Sequence, residues 1–242
     1  MSYQIKDLKI IRTIADGQRY FLPDVDSPVF DYFDDTFHII RTELGTDGIM
    51  GLSAEDPHIL LINLKGSDEP IDWWGVNFNK SVNKSERHRG FHNANLKLLT
   101  AVAKILEGNS KYYRGITRVY VGGHSNGAAV GNFFAADCYS IFGNLKEVNL
   151  VTWGEPKEYS SDINVNFLSH VDNYFRFVNI WDIVPKVPLM LSHDSSAQSI
   201  TTNSIYWKLK IKTLTLWVTH SLEQYLDSTY KFINFQTQQN LT

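Results

Sequence analysis

The sequence predicts an α/β protein in which a mostly parallel central sheet is covered by helices on both faces. Short apolar runs rich in β-branched residues alternate along the chain with segments whose apolar residues recur at helical spacing. Strands that alternate with helices build a parallel sheet, because each helix carries the chain back across a face of the sheet. The stretch Gly123-His124-Ser125-Asn126-Gly127 lies between such a strand and such a helix. In parallel sheets the active groups collect at the carboxyl ends of the strands.

The predicted elements follow from these periodicities. Residues 58–65 form a nearly continuous apolar run, which is typical of a strand covered on both faces. Two earlier strands surround a Gly-rich turn at residues 45–48. The predicted strands are residues 37–44, 49–53, 58–65, 116–121, 148–154 and 174–180, and the predicted helices are 91–107, 128–137 and 221–233.

Residues 123–127 match the G-x-S-x-G pattern of a nucleophile elbow, the sharp turn that joins a strand to a helix in α/β-hydrolases. Residues without bulk are needed beside the serine, because the turn forces a strained backbone conformation there. The helix that follows directs its N-terminal N–H groups toward an oxyanion. We therefore interpret Ser125 as a candidate nucleophile, whereas the side chain of His124 is expected to point away from it and to pack under the turn.

A serine nucleophile needs a general base and a carboxylate that fixes the tautomer of that base. Asp182 follows the predicted strand 174–180 in apolar, proline-rich surroundings, whereas Asp172 precedes this strand and is interpreted as a turn or cap residue. Two histidines come later in the chain. His220, just before the last helix, fits a base on a loop that reaches the elbow, and His193 is the alternative as a local partner of Asp182 or a plain loop residue.

An oxyanion hole needs two donors. The backbone N–H of Asn126, the residue after the nucleophile, is expected to be one of them. The second is expected from the loop after strand 58–65, where Gly66 permits close approach and Ser67 offers an N–H and a hydroxyl.

Bulk composition limits the class of protein. The chain has 242 residues, with no linker or repeat, and predicts one domain over residues 1–242. A net charge of −3 gives no electrostatic reason to expect nucleic acid binding. The single cysteine, Cys138, excludes an intramolecular disulfide and a cysteine-based metal site.

No stretch approaches the roughly 20 apolar residues of a membrane span. The first residues do not resemble a signal peptide, from which we expect a cytoplasmic protein. Secretion by another route, or after removal of a signal, stays open, and the sequence does not give the oligomeric state.

A series of motifs in this chain resembles the class 3 (fungal-type) lipase family of the α/β-hydrolase fold, in the family's own order. Lys65 stands where the family usually has arginine, and Ile183 where it usually has proline. The matching segments are Leu64-Lys65-Gly66-Ser67 with Asp72-Trp73, His88-Arg89-Gly90-Phe91, Gly123-His124-Ser125-Asn126-Gly127, Trp153-Gly154-Glu155-Pro156, Asp182-Ile183-Val184-Pro185-Lys186-Val187-Pro188 with His193, and His220 followed by Tyr225.

The resemblance implies a serine-dependent lipase or esterase with Ser125, Asp182 and His220 as its triad, and Ser67 and Asn126 as its oxyanion hole. It implies hydrolysis of lipid or small carboxylic esters through an acyl-enzyme, with no metal or cofactor. A phospholipase A1 or short-chain esterase of the same fold is the alternative, and so is an inactive binding protein.

The resemblance also implies a lid over the site, and residues 71–82 occupy the place of that lid in this chain. Its expected lid and substrate-binding residues, which would meet a transient lipid interface, are Trp73, Trp74, Val76 and Phe78.

Overall fold

A seven-stranded sheet forms the centre of the protein in the computed structural model. The structure describes residues 3–22, 37–42, 46–66, 87–160, 168–189, 191–194, 196–202 and 220–241. The strands are β1 (His38–Ile40), β2 (Gly48–Leu52), β3 (Ile59–Leu64), β4 (Arg118–His124), β5 (Glu147–Trp153), β6 (Tyr159–Ser160), β7 (Asn173–Asn179), β8 (Leu191–Ser192) and β9 (Gln198–Thr202).

The order of strands in the sheet is β1-β2-β3-β4-β5-β7-β9, and β6 pairs with β8 in a separate two-stranded ribbon. The first two pairings are antiparallel, and β3, β4, β5, β7 and β9 run parallel to one another. The chain segments that leave β3, β4, β5 and β7 therefore start from the same edge of the sheet.

Helices cover both faces of this sheet. They are α1 (Ile5–Gln18), α2 (Arg89–Gly108), the single turn α3 (Ser110–Tyr113), α4 (Asn126–Asp137) and α5 (Leu222–Gln239). Side chains of α2 and α4 pack in one apolar cluster, whereas those of α1 and α5 pack in the other. Strand β3 shows why two clusters form, because Leu60 and Ile62 belong to the first and Ile59 and Leu61 to the second.

This architecture confirms the predicted α/β-hydrolase type of fold. The apolar run at residues 58–65 is β3, all six residues of which are buried between the two layers. Helix α1, which packs Ile11 and Ile14 into the second cluster, and strand β9 at the edge of the sheet were not predicted from the sequence. The short elements α3, β6 and β8 were not predicted either. Among the described residues, the structure has no helix with the length and apolar character to cross a bilayer.

Candidate active site

Ser125 lies in the sharp turn between β4 and α4. Its backbone has φ 56° and ψ −124°, and it is the one non-glycine residue with positive φ in the part of the chain that the structure describes. Such a conformation costs about 1–3 kcal/mol, so the surrounding structure must hold it in place. Part of that support is the Ser125 N–H, which donates to the carbonyl oxygen of Trp153 over 2.9 Å.

The two glycines of the G-x-S-x-G stretch are required by close backbone approach. A Cβ on Gly123 would overlap the carbonyl oxygen of Gly127, and a Cβ on Gly127 would overlap that of Lys65. Both contacts are with backbone atoms, which have no side-chain freedom to move away. The pattern in the sequence therefore reflects how tightly α4 is set against the ends of β3 and β4.

Asp182 and His220 form a buried pair. The Nδ1 atom of His220 lies 2.6 Å from Oδ2 of Asp182, whose side chain is fully buried. An ionised carboxylate only accepts hydrogen bonds, so this contact assigns the ring proton to Nδ1 and leaves Nε2 with a lone pair. Tyr225 donates its hydroxyl to the same carboxylate oxygen over 2.7 Å, and the Val184 N–H donates to Oδ1 over 2.9 Å. The carboxylate is thus fixed by three donors.

The end of β5 brings the nucleophile and the histidine to the same place. Gly154 follows Trp153, whose carbonyl oxygen accepts the hydrogen bond from the Ser125 N–H. A Cβ on Gly154 would lie 2.8 Å from Cε1 of His220. Gly154 has φ 59°, a conformation that favours glycine. Its N–H donates to the carbonyl oxygen of Phe177 over 3.1 Å, which holds this turn against β7.

His124 links the elbow to the loop of His220. Its Nε2 lies 2.7 Å from the backbone carbonyl oxygen of His220, and the two ring centroids are 4.7 Å apart. Burial, together with the neighbouring His220, lowers the pKa of His124 well below its ordinary value, so the ring is neutral and donates to this carbonyl. His124 therefore packs beneath the turn and supports the site, as its sequence position predicted.

The oxyanion-hole residues are described in part. Asn126 is the first residue of α4, where backbone N–H groups have no partner within the helix. Gly66 lies against the nucleophile, since a Cβ on it would be 3.1 Å from Cβ of Ser125. Ser67 lies outside the described residues, as do the four expected lid residues Trp73, Trp74, Val76 and Phe78.

The two residues that the sequence analysis set aside lie elsewhere. Asp172 precedes β7 and accepts the N–H of Val148 over 2.8 Å at the start of β5, which is the edge opposite Ser125. His193 contacts Glu158 and the carbonyl oxygen of Pro185 rather than Asp182. Of the candidate residues that the structure describes, it therefore brings together Ser125, Asn126, Asp182 and His220.

Comparison with protein families places this site in a known context. The family described as lipase (class 3) matches residues 62–192, which is more than half of the chain and includes the elbow and Asp182. The chain belongs to the class 3 lipase family. It is accordingly a carboxylic ester hydrolase, and the family resemblance inferred from the motifs is confirmed.

Solved structures similar to this class 3 lipase share its fold at low sequence identity. The triacylglyceride lipase of Rhizomucor miehei is 18% identical with a TM-score of 0.65, covering 93% of this chain and 95% of that one. Lipase II from Rhizopus niveus is 19% identical with a TM-score of 0.63, covering 92% of each chain. A triacylglycerol lipase with a serine protease triad as its catalytic centre is 21% identical with a TM-score of 0.62, covering 93% and 95%. No curated protein sequence matches the chain.

A second polar cluster lies behind the site in this class 3 lipase, and the sequence analysis did not predict it. Glu155, directly after Gly154, accepts hydrogen bonds from Asn132 Nδ2 over 2.9 Å and from Thr152 Oγ1 over 2.8 Å. It also accepts one from the hydroxyl of Tyr174, and Arg176 Nε lies 3.5 Å away. These donors anchor the backbone next to the turn on which His220 packs.

Glu158 and His193 complete this cluster. Their ligand atoms and those of Glu155 lie within 4.8 Å of one another, a spacing that could hold a cation. However, the guanidinium of Arg176 already lies beside both Glu155 and His193, and the donors around Glu155 occupy its oxygens. Burial raises the pKa of both Glu155 and Glu158 to about 8. We therefore interpret the cluster as two carboxyl groups that share a proton.

Proposed function

We propose that this class 3 lipase hydrolyses lipid carboxylic esters of the acylglycerol type through an acyl-enzyme on Ser125. His220 acts as the general base, Asp182 orients it, and Asn126 and Ser67 donate to the oxyanion. The observation that carries the proposal is the 2.6 Å contact between His220 Nδ1 and Asp182, because it leaves the Nε2 lone pair of His220 for the serine proton.

The reaction takes two steps. The Oγ atom of Ser125 attacks the ester carbonyl carbon while His220 Nε2 takes the hydroxyl proton. The tetrahedral intermediate collapses, the C–O bond to the alcohol breaks, and His220 returns the proton to the departing alcohol. A water molecule then attacks the acyl-enzyme, His220 accepts its proton and passes it to Ser125, and the carboxylic acid is released.

Developing charge is stabilised in both steps by groups that the fold holds in advance. The N-terminus of α4 carries the Asn126 N–H toward the position beside Ser125 where the oxyanion forms. Gly66 lies against Ser125 Cβ, which supports a role for the next residue, Ser67, as the second donor. The buried Asp182 stabilises the imidazolium that forms on His220.

Likeness to solved lipases supports the proposed substrate class. Two of the solved structures named above are a triacylglyceride lipase and a triacylglycerol lipase, and the second has a serine protease triad, the kind of site proposed here. We therefore favour acylglycerols over phospholipids or short soluble esters as the main substrate.

A Ser125→Ala variant tests the proposal. Hydrolysis of tributyrin and of p-nitrophenyl butyrate is expected to fall about ten-thousandfold or more, as expected when the nucleophile of a triad is removed. Ser110→Ala, at an exposed position in the single turn α3, is the matched control and should keep full activity.

A fluorophosphonate probe gives an independent measurement on the same proteins. It should label the wild-type and Ser110→Ala proteins and leave Ser125→Ala unlabelled, because serines without a base rarely react. Unchanged ester hydrolysis by Ser125→Ala would overturn the proposal. Faster release of fatty acid from phosphatidylcholine than from acylglycerols would instead assign a phospholipase.

A further inference from the structure

The chain segment that carries Asp182 also carries an unusual concentration of exposed apolar side chains. Asp182 itself is buried, whereas Ile180, Trp181, Ile183 and Leu189 are 39%, 53%, 49% and 81% exposed. The 180–189 segment leaves β7 at the sheet edge that also carries Ser125, so its outer surface lies beside the candidate site.

Elsewhere in the described part of the chain, no ten-residue stretch carries more than two large exposed apolar side chains. These side chains lie on separate elements, which is ordinary for a protein surface. They are Ile5 on α1, Ile39 on β1, Leu96 on α2, Tyr112 on α3, Phe235 on α5 and Leu241 after α5. The 180–189 segment differs because four such side chains occur within ten residues.

The backbone of the 180–189 segment is held in place by hydrogen bonds within the segment and by one from Lys157, a residue that follows β5. The Lys186 N–H donates to the carbonyl oxygen of Ile183 over 2.9 Å, and its ammonium donates to that of Ile180 over 2.9 Å. The Lys157 N–H donates to the carbonyl oxygen of Val187 over 2.9 Å. The apolar side chains are therefore presented by an ordered backbone, which reduces the entropy lost when they contact another phase.

Charge favours a lipid surface as the occupant. The titratable side chains of the 180–189 segment are the buried Asp182 and the exposed Lys186, so its outer surface carries no negative charge. Exposed Trp and Leu beside a Lys are typical of segments that lie in a membrane interface. A lipid aggregate is also where an acylglycerol ester would be met, and it would then be met next to Ser125.

We propose that the 180–189 segment inserts into the lipid–water interface and docks the site onto aggregated substrate, with Trp181 and Leu189 as its main anchors. This inference rests on the proposed function for its substrate class. It assigns interfacial binding to a segment apart from the expected lid residues, and it does not require a lid to move.

Binding without turnover tests this inference. The Ser125→Ala protein, which cannot consume lipid, is mixed with dioleoylphosphatidylcholine vesicles and with trioleoylglycerol emulsion, and the bound fraction is measured by sedimentation. Trp181→Ser and Leu189→Ser in that background are each expected to weaken binding about tenfold. The reason is that burial of such an apolar side chain in the lipid contributes a binding free energy of that size. The double variant should lose about a hundredfold.

The matched control is the double variant Phe235→Ser and Leu241→Ser, which removes two equally exposed apolar side chains from another surface. It should bind as Ser125→Ala does, and thermal unfolding midpoints verify that every variant is folded. Binding should also persist in 1 M NaCl, because apolar insertion is not screened by salt.

Three results would overturn the inference. The Ser125→Ala protein could fail to bind either lipid preparation, the 180–189 variants could bind as tightly as their parent, or the control could lose as much. Loss of a dimer in sedimentation velocity, with lipid binding unchanged, would instead assign the 180–189 segment to contact between two copies. None of these results depends on hydrolysis, so they are distinguishable from failure of the proposed chemistry.

Discussion

The Glu155–Glu158 pair should make the protein less stable as the pH rises above 6.5, and Glu158→Gln should remove that dependence. Burial raises the pKa of both carboxyls to about 8, whereas the unfolded chain releases its protons near 4.5. Between those values the folded state holds a proton that the unfolded state has released. The stabilisation is therefore complete below pH 4.5 and is lost as the pH rises through 8.

The size of the effect follows from the charges in the cluster. Arg176 balances one negative charge beside Glu155, so we count one retained proton for the pair. Asn132 and Thr152 donate to the Glu155 carboxylate, so we assign the proton to Glu158. One proton changes the free energy of unfolding by about 1.36 kcal/mol per pH unit, or about 2 kcal/mol between pH 6.5 and 8.

The pH window is chosen to limit the effect of a histidine of the same cluster. Burial, with Arg176 beside it, lowers the pKa of His193 to about 4, so its effect on stability develops as the pH falls below 6.5. At pH 6.5 the unfolded form of His193 is about half protonated, so this histidine adds a small slope of opposite sign at the low end of the window. Wild type and Glu158→Gln share that slope, so it cancels in the difference between them.

Urea unfolding followed by tryptophan fluorescence at pH 6.5, 7, 7.5 and 8 measures this slope. Glu158→Gln keeps a neutral donor beside Glu155 but cannot release a proton, so its stability should not fall over the window. At pH 8 the variant should therefore gain about 2 kcal/mol on the wild type relative to pH 6.5. Glu107→Gln, at an exposed position of α2, is the control and should keep the wild-type slope. If Glu158→Gln also keeps the wild-type slope, no proton is retained by the pair and the charge assignment is wrong.

Two further substitutions test how the base is held. Tyr225→Phe removes the hydroxyl that donates to the buried aspartate, which should lower stability by about 1–2 kcal/mol and reduce kcat for tributyrin about tenfold. Tyr230→Phe, which removes a hydroxyl elsewhere on the same helix, should cost stability without a matching loss of kcat, and equal losses of kcat in both would refute a specific role. Gly154→Ala should reduce kcat/KM about a hundredfold or more, since its Cβ would lie 2.8 Å from the His220 ring and φ is 59°. Gly108→Ala, where a Cβ meets nothing within 4 Å, should have wild-type kinetics, and full activity of Gly154→Ala would show that this turn does not set the position of His220.

Much of the sheet could be predicted because its central strands are buried on both faces and are rich in apolar residues. Strands β3, β4 and β5 lie within one to three residues of their predicted limits for this reason. Strand β9 could not be predicted, because an edge strand of sequence QSITT has little apolar signal. Helix α1 was missed although a signal exists, since Leu8, Ile11 and Ile14 recur at helical spacing and are buried.

The residues of the candidate site also divide into those that the sequence could predict and those that it could not. Ser125 could be found because the elbow is a local motif whose glycines are required by backbone contacts within a few residues. The choice of Asp182 and His220 depended on chain order and strand ends, and the contact between them agrees with it. The cluster around Glu155 gave no local signal, because its partners come from α4, β5 and β7 and meet only in the folded sheet. Charged residues in sequence are ordinarily exposed, so nothing marked these carboxyls as buried.

The turn at Trp153 and Gly154 has a consequence for the use of this protein as a folding reporter. Ser125 and His220 are 95 positions apart in the chain, and both are held against this one turn, which itself requires β5 to be paired with β4 and β7. A chain in which either strand pairing is missing can therefore contain every catalytic side chain and still lack a site. Covalent titration of the serine counts molecules in which the middle of the sheet is complete, and it separates them from collapsed chains that spectroscopic measures of helix content would score as native.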